Sequence, residues 1–520
     1  MRNKKLFIFA LVFVLATFIG EFPAEGGYYK DLQRKGFDIS GKIETRVSSR
    51  TESSEGFTSP EVDAGDIVQH RNLLHLEVNH DLTKDRKMMG WRARYHLLGR
   101  ALYEGIYDYG PDQYEDLPDD NWVEDIDDFK YDIDLWEGYI DLSKKSFFCR
   151  LGRQNLAWGE TDLVRLLDNI NPLDNTFGGI FEDLDDRRIP LWMARASNNF
   201  GRLGPFQSIS LEGFWVPGSI DAQESPLAPP GTPYALPVPP ISALDIPGVV
   251  DFYEHEDDPE REMNNSRWGA RLQGYLGGLN WALAYQKTFL DTPTPRFVVD
   301  RQFDPTTGTP AKVALNFEWE QVDIFGASFN YYEPHLDLVL RSEIAYLVDV
   351  PFFIPEVAIP GPTVSPTGVL QFNTGEIIEE DQLRYSMSID KDIWIRPLCK
   401  NGQFSFTLQY SGTYTYDHED EMMYAIPDPD DGEFDIEMKE YEQTYVFVAM
   451  NTSGWLNGDL LPTLTCAYNP RGAFFFQPQL EYLFDPWRAT LQYSNISGNF
   501  VDFGFFEDRD QVTLTLGLQW

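Results

Sequence analysis

The last ten residues, QVTLTLGLQW, constrain this chain more than any other stretch. Val512, Leu514, Leu516, Leu518 and Trp520 share one face of a period-2 strand, and Thr513, Thr515, Gly517 and Gln519 share the other. A strand wholly apolar on one side and small and polar on the other suits lipid outside and a wet interior inside. A core strand of a soluble sandwich carries the same local pattern, so the choice between them rests on the remaining chain.

That chain repeats the pattern. Phe37, Ile39, Ile43 and Val47 alternate with Asp38, Lys42, Glu44 and Arg46; Leu74, Leu76 and Val78 alternate with Arg71, His75, Glu77 and Asn79. Long acidic or proline-rich connections near 50–66, 105–130, 158–189, 217–265, 291–313, 350–380, 418–438 and 499–509 alternate with tight turns near 83–87, 143–146, 201–204, 275–278, 331–335, 397–402, 454–458 and 484–486. A short connection near 469–472 completes the long-loop side. A sandwich has no reason to sort its connections by length, whereas a transmembrane barrel has short periplasmic turns and long extracellular loops. The expected fold is all-β: an antiparallel barrel of 18 strands, with 16 as the alternative count, and both chain ends on the periplasmic side. The alternation falters at Arg153 and over 190–200, where a bulge is expected.

Composition narrows the rest. Residues 1–24 have a basic start (Arg2, Lys4, Lys5), the apolar run LFIFALVFVLATFIG and a polar break at Glu21, which reads as a secretory signal. Residues 25–35 follow as a periplasmic segment and 36–520 as the barrel. No later apolar run is long enough for a spanning helix. The net charge of −41, from 83 acidic and 42 basic residues, excludes nucleic acid as a partner. Cys149, Cys399 and Cys466 are too few and too far apart for a disulfide framework or metal site. His70, His75 and His80 cannot share an ion, because a spacing of five puts His75 on the opposite face. No metal or cofactor is expected. The acidic stretches 108–134 and 427–435 invite a calcium reading, but the second fails the spacing of a calcium loop, and the ordinary reading is a solvated surface able to bridge divalent cations among anionic lipid head groups.

Residues 151–193 are the least barrel-like stretch. Leu163, Leu166, Leu167 and Ile170 have helical spacing, and Asn171-Pro172 would end such a helix. Arg187 and Arg188 follow the acidic cluster Glu182, Asp183, Asp185 and Asp186. A connection this long with its own charge pattern is too structured for a plain surface loop. Arg153, Trp158, Glu160, Arg165, Asp168, Asn171, Arg187 and Arg188 are therefore expected in a segment that folds inward, either narrowing the lumen or pinned by its own ion pairs to the wall. Gly152-Arg153-Gln154, Trp158-Gly159-Glu160 and Asn171-Pro172 resemble a pattern shared by large outer-membrane barrels of the alginate-export-porin type and by an uncharacterised proteobacterial barrel family. The resemblance implies an outer-membrane barrel; the acidic loops do not favour alginate as its solute. The terminal aromatic residue likewise resembles the C-terminal signature of bacterial outer-membrane barrels, which makes Leu516, Leu518 and Trp520 the expected assembly signal for the barrel-assembly machinery.

Arg92, Arg94, Arg100, Arg271, Arg341, Arg384 and Arg488, with Glu343, have the lumen-facing parity. They either guide anions or each neutralise an inward carboxylate such as Glu77, Glu343 or Glu481, and for any single arginine neutralisation is the better reading. The proline-rich apolar loops 226–250 and 350–370 are expected to pack over the barrel mouth, or else to receive hydrophobic solutes. No catalytic constellation stands out, Asp417-His418 being a chance-level pair. The expected function is an outer-membrane channel for small solutes, set in lipid and lipopolysaccharide and narrowed by 158–189. The alternatives are a channel for hydrophobic compounds, an occluded binding or structural barrel, and a rim enzyme.

Overall fold

The computed structural model describes residues 32–520 apart from 55–61, 85–87, 112–113, 115–126, 162–163, 230, 236–244, 360–362, 365–369, 427, 429–432 and 452–454. The expected signal, residues 1–24, lies outside the described residues, as does Leu163.

Eighteen strands form one sheet. In chain order they are β1 Phe37–Arg50, β2 Ile67–Asp81, β3 Arg92–Glu104, β4 Tyr131–Lys144, β5 Phe147–Gln154, β6 Leu191–Leu203, β7 Phe206–Val216, β8 Arg267–Leu276 and β9 Leu279–Phe289. They continue as β10 Gln321–Glu333, β11 Leu338–Phe352, β12 Ile378–Ile393, β13 Phe404–Thr415, β14 Tyr441–Met450, β15 Leu460–Tyr468, β16 Ala473–Phe484, β17 Trp487–Gly498 and β18 Gln511–Gln519. Each pairs antiparallel with its neighbour in sequence, and β1 pairs with β18 from Lys42↔Gln519 to Arg50↔Gln511. The barrel is therefore closed, and closure is what lets strands cross lipid, because an open edge would leave backbone groups unsatisfied in hydrocarbon. Among the described residues no helix is long and apolar enough to cross a membrane.

The two faces follow the alternation in the sequence. On β18, Val512, Leu514 and Leu516 are 37–45% exposed on the outer surface while Gln511, Thr513 and Thr515 are buried inside. Aromatic pairs gather near the short turns, as in Trp91–Phe147, Phe206–Trp281 and Tyr482–Phe484. Others gather near the long loops, as in Trp268–Tyr285 and Tyr346–Tyr416. These are the two interfacial belts of a membrane barrel. At the short-turn end Trp520 exchanges both backbone hydrogen bonds with Gly41, at 3.1 Å each, and its indole covers the Gly41 Cα.

Two sequence expectations change. The helix expected over 163–170 is absent from the described residues there; the helical turns are Gly179–Phe181 and Leu184–Arg187. Leu166 and Leu167 instead pack from a bend in the chain against the wall, where their spacing serves a strand-lined groove rather than a helix face. The register runs unbroken through Gly138↔Arg153, so β5 has no bulge; its irregularity is Gly152, at φ +135°, a conformation that favours glycine. Bulges do occur in β6 around Gly201, as expected, and also in β3 at Leu98/Gly99 and in β11 at Leu347/Val350.

Outside the barrel wall, Val250–Asp257, Thr294–Arg301 and Ala311–Glu318 build a three-stranded sheet in the long-loop region. It packs Val250, Phe297, Val313 and Phe372 into a small core of its own.

Candidate functional site

The connection between β5 and β6 folds into the barrel, and buried Asn171 holds its root. Its Oδ1 accepts from the Leu156 N–H at 2.9 Å, and its Nδ2 donates to the carbonyls of Gln154 at 3.3 Å and Ile189 at 2.8 Å. The backbone then runs out and back, with Ile189 N–H donating to Pro172 O at 2.9 Å and Asp174 N–H to Arg187 O at 2.7 Å. Polar sequence is required here because both legs run through the lumen, where every backbone group needs a partner.

From the root the segment crosses to opposite walls. Trp158 donates from Nε1 to Glu212 Oε1 at 2.7 Å, and Glu212 also holds Arg195 at 2.7 Å and Arg271 at 3.2 Å. The Glu160 N–H donates to the Glu343 carboxylate, Thr161 donates to Glu343 Oε2 at 3.2 Å, and Arg341 Nη1 donates to Glu160 O at 2.5 Å. Arg165 pairs with Asp291 at 2.7 Å and donates to Asn171 O at 2.7 Å. Leu166 and Leu167 pack with Val322, Ile324, Ala345 and Leu347 of β10 and β11. On the other side Glu182 meets Arg46 at 3.0 Å, Arg71 at 2.7 Å and Gln69 at 3.0 Å, on β1 and β2. In an 18-strand barrel β10 lies opposite β1, so the segment bridges the full lumen.

A second connection, between β7 and β8, also enters. Ser225 accepts from Leu173 N–H at 2.9 Å, Pro226 O accepts from Asn175 N–H at 3.1 Å, and Tyr234 donates to Gln511 Oε1 at 3.2 Å. Ala228, Tyr234 and Ala235 pack with Phe181, Val446, Phe475 and Ile496. The described part of the apolar loop 226–250 thus supplies packing within the mouth. In the loop 350–370, Phe352 and Ile354 likewise close on the β10–β11 cluster, joined by Met422 from the connection after β13.

What remains open is a cavity of about 460 Å³ between the segment, at Val164–Leu166 and Ile180–Arg187, and the wall from β12 to β16. A smaller polar space of about 90 Å³ lies on the segment's other side, between Glu182 and β16–β18.

The expected lumen arginines separate into groups. Arg100 pairs with Asp132 at 2.6 Å, Arg271 with Glu212, Arg341 with Asp390 at 2.7 Å, and Arg488 with Glu44 at 2.6 Å. Arg94 meets Asp81 at 3.5 Å near the short-turn mouth, and Arg92 is exposed there. Arg384 differs: its Nε and Nη2 donate to Gln382 Oε1 at 3.0 and 2.6 Å, and no carboxylate lies within ion-pair distance among the described residues. Arg153 stays on the wall, paired with Asp134 and donating to Leu135 O at 3.0 Å and Pro190 O at 3.2 Å, where β5 ends and β4 runs on. Arg188 bridges Asp168 and Asp185 inside the segment, and Arg187 lines the cavity. His418 Nε2 lies 3.0 Å from Met438 O rather than on Asp417. Among the described residues no group of acidic, histidine and cysteine side chains forms a metal site.

Arg46, Arg71 and Glu212, which fasten the segment, escaped the sequence reading. Inward parity was visible for Arg46 and Arg71, but the carboxylate and indole partners of all three lie far away in the chain.

A closed even-stranded antiparallel barrel with an apolar outer belt defines a bacterial outer-membrane β-barrel. The chain belongs to the family described as "Protein of unknown function (DUF1302)", which matches residues 61–520. No curated protein matches it. Among solved structures it is similar to OccAB3 of Acinetobacter baumannii, at 9% identity and a TM-score of 0.46 over 93% of this chain and 99% of that one. It is also similar to the outer membrane protein opdK of Pseudomonas aeruginosa, at 10% identity and 0.44 over 93% and 99%. OccK8 (OprE) of the same organism gives 8% identity and 0.42 over 93% and 97%.

Proposed function

We propose that the protein is an outer-membrane channel for passive passage of small solutes, with residues 158–189 as its constriction. The observation that carries this reading is the cavity of about 460 Å³ beside a segment fastened to opposite walls. A purely structural plug gains nothing from leaving such a space, since packed interiors hold few voids larger than a water molecule. Apolar side chains in the same cavity, among them Val446, Phe475 and Phe503, favour a solute with a hydrophobic part, which joins the porin reading to that of a channel for hydrophobic compounds. Residues 1–24 direct secretion, the barrel-assembly machinery reads Leu516, Leu518 and Trp520, and acidic loops share divalent cations with lipopolysaccharide. The motif from Gly152 to Pro172 supports a likeness to barrels of the alginate-export-porin type. The test is planar-bilayer recording with the purified, heat-modifiable protein. Stepwise single-channel currents are expected; correctly folded protein that gives no steps ends the channel reading.

A further inference from the structure

Arg384 lines the cavity from β12 and is only half-buried, unlike Arg50 and Arg267, which are buried and donate to backbone carbonyls. A guanidinium buried in a barrel wall is ordinarily offset by a carboxylate, because an unpaired buried charge is costly. Arg100, Arg271, Arg341 and Arg488 obey this rule. Arg384 instead spends two of its five N–H donors on one amide oxygen, that of Gln382. Its neighbours across the sheet are Ala345 on β11 and Thr413 on β13, neither of them charged. It faces the cavity, and across that cavity stands Arg187 of the inward segment, whose partners are the Asp174 carbonyl at 3.4 Å and the Asn175 side chain.

The carboxylates that border the same space are committed or displaced. Glu182 is held by Arg46 and Arg71, and Glu442 by Arg471 at 2.8 Å. Asp502 accepts from Thr444 and Asn469 at 3.2 Å each. Thr444 is on β14, two strands along the wall from Arg384, roughly 10 Å at ordinary strand spacing. The β12 side of the cavity therefore presents Arg384 with no carboxylate within ion-pair distance among the described residues, and the β14 side has an acid beside apolar residues. An anion entering is drawn to the first side and repelled from the second.

We infer that Arg384 forms a binding subsite for the head group of an organic carboxylate, whose apolar body lies along Val446, Phe475 and Phe503. The planar fork of a guanidinium suits a carboxylate in particular, since it can give two parallel hydrogen bonds where a halide takes one. This inference rests on the channel reading for its biological sense, but not for its test. Solute binding is measured by equilibrium dialysis of benzoate, benzyl alcohol and benzylamine against the detergent-solubilised full barrel, which needs no current. Wild-type protein is expected to bind benzoate at least tenfold more tightly than the other two, and R384Q to lose that preference. R384K is expected to retain part of it, and R92Q, at the exposed rim, all of it. In bilayers, R384Q is expected to shift the reversal potential under a KCl gradient toward cations and to relieve block by benzoate. Benzoate binding with no current in wild type would end the channel reading and leave the subsite standing. Equal binding of the three probes by wild type, or an undiminished benzoate preference in folded R384Q, would overturn the subsite. If R384Q fails to fold, the comparison of probes on wild type and R384K decides alone.

Discussion

Glu182 is the residue on which the inward segment depends at its far end. Burial raises the pKa of its carboxyl, but Arg71 and Arg46 outweigh burial and hold it below the ordinary value. A folded value below the unfolded one means that the clamp contributes fully above the ordinary glutamate range and is lost as pH falls through the depressed value. Unfolding temperature, read from heat-modifiable mobility, should accordingly hold level above the ordinary glutamate range, fall as pH drops from that range toward the depressed value, and level off below it. Glu182→Gln leaves buried Arg71 without its carboxylate, while Arg46 keeps Glu44 and Asp186 at 3.5 Å each, and should destabilise by about 3 kcal/mol, measured as a lower urea midpoint. Glu224, in the connection after β7, has the opposite sign. Burial first, then Asp258, push its carboxyl up to about 7. The folded value exceeds the unfolded one, so stability declines as pH rises from the ordinary glutamate range to about 7. Glu224→Gln should therefore raise the unfolding temperature at pH about 8 and leave it unchanged at pH about 4, below both values. An equal increment at both pH values would show that the gain is not electrostatic.

At the scale of elements, the inward segment is a hairpin-like loop with two separable anchors. Asn171 and the Leu166–Leu167 cluster fix the root side, and Glu182 fixes the tip. Replacing residues 173–187 with a short Gly-Ser bridge removes the tip and keeps the root. Conductance should rise several-fold, because current follows the narrowest cross-section; unchanged conductance in a folded variant would place the constriction elsewhere. The sequence marked this segment by its length and charge, but misread its local form. The leucine spacing that suggests a helix over 163–170 arises because Leu166 and Leu167 fill a groove over Gly326 and Ala345, a demand set by β10 and β11 and invisible in the segment itself. The expected break at Arg153 has a similar origin: the side chain reaches along the wall to cap backbone of β4 that continues past the end of β5.

At the scale of the whole molecule, stability requires that the sheet close. The terminal contact of Trp520 with Gly41 is the last step of that closure, and a Cβ at position 41 would overlap the indole. Gly41→Val and deletion of Trp520 should both reduce the fraction of heat-modifiable barrel in outer-membrane preparations, with unchanged synthesis of the chain. Normal folded levels in both would show that the β1–β18 ladder closes without this contact. The eighteen strands, the sorting of long loops from short turns and the lipid-facing residues were all legible in the sequence. A strand between two solvents must alternate residue by residue, and that requirement is local. Which arginines are neutralised was not legible, because Arg46 and Glu182, or Glu160 and Arg341, are distant in sequence and meet only after the barrel has formed. The sequence by itself therefore determined the wall, whose pattern is written strand by strand. Only the tertiary structure decided the lumen, where charge balance and packing depend on which loops return inside and which wall side chains they find there.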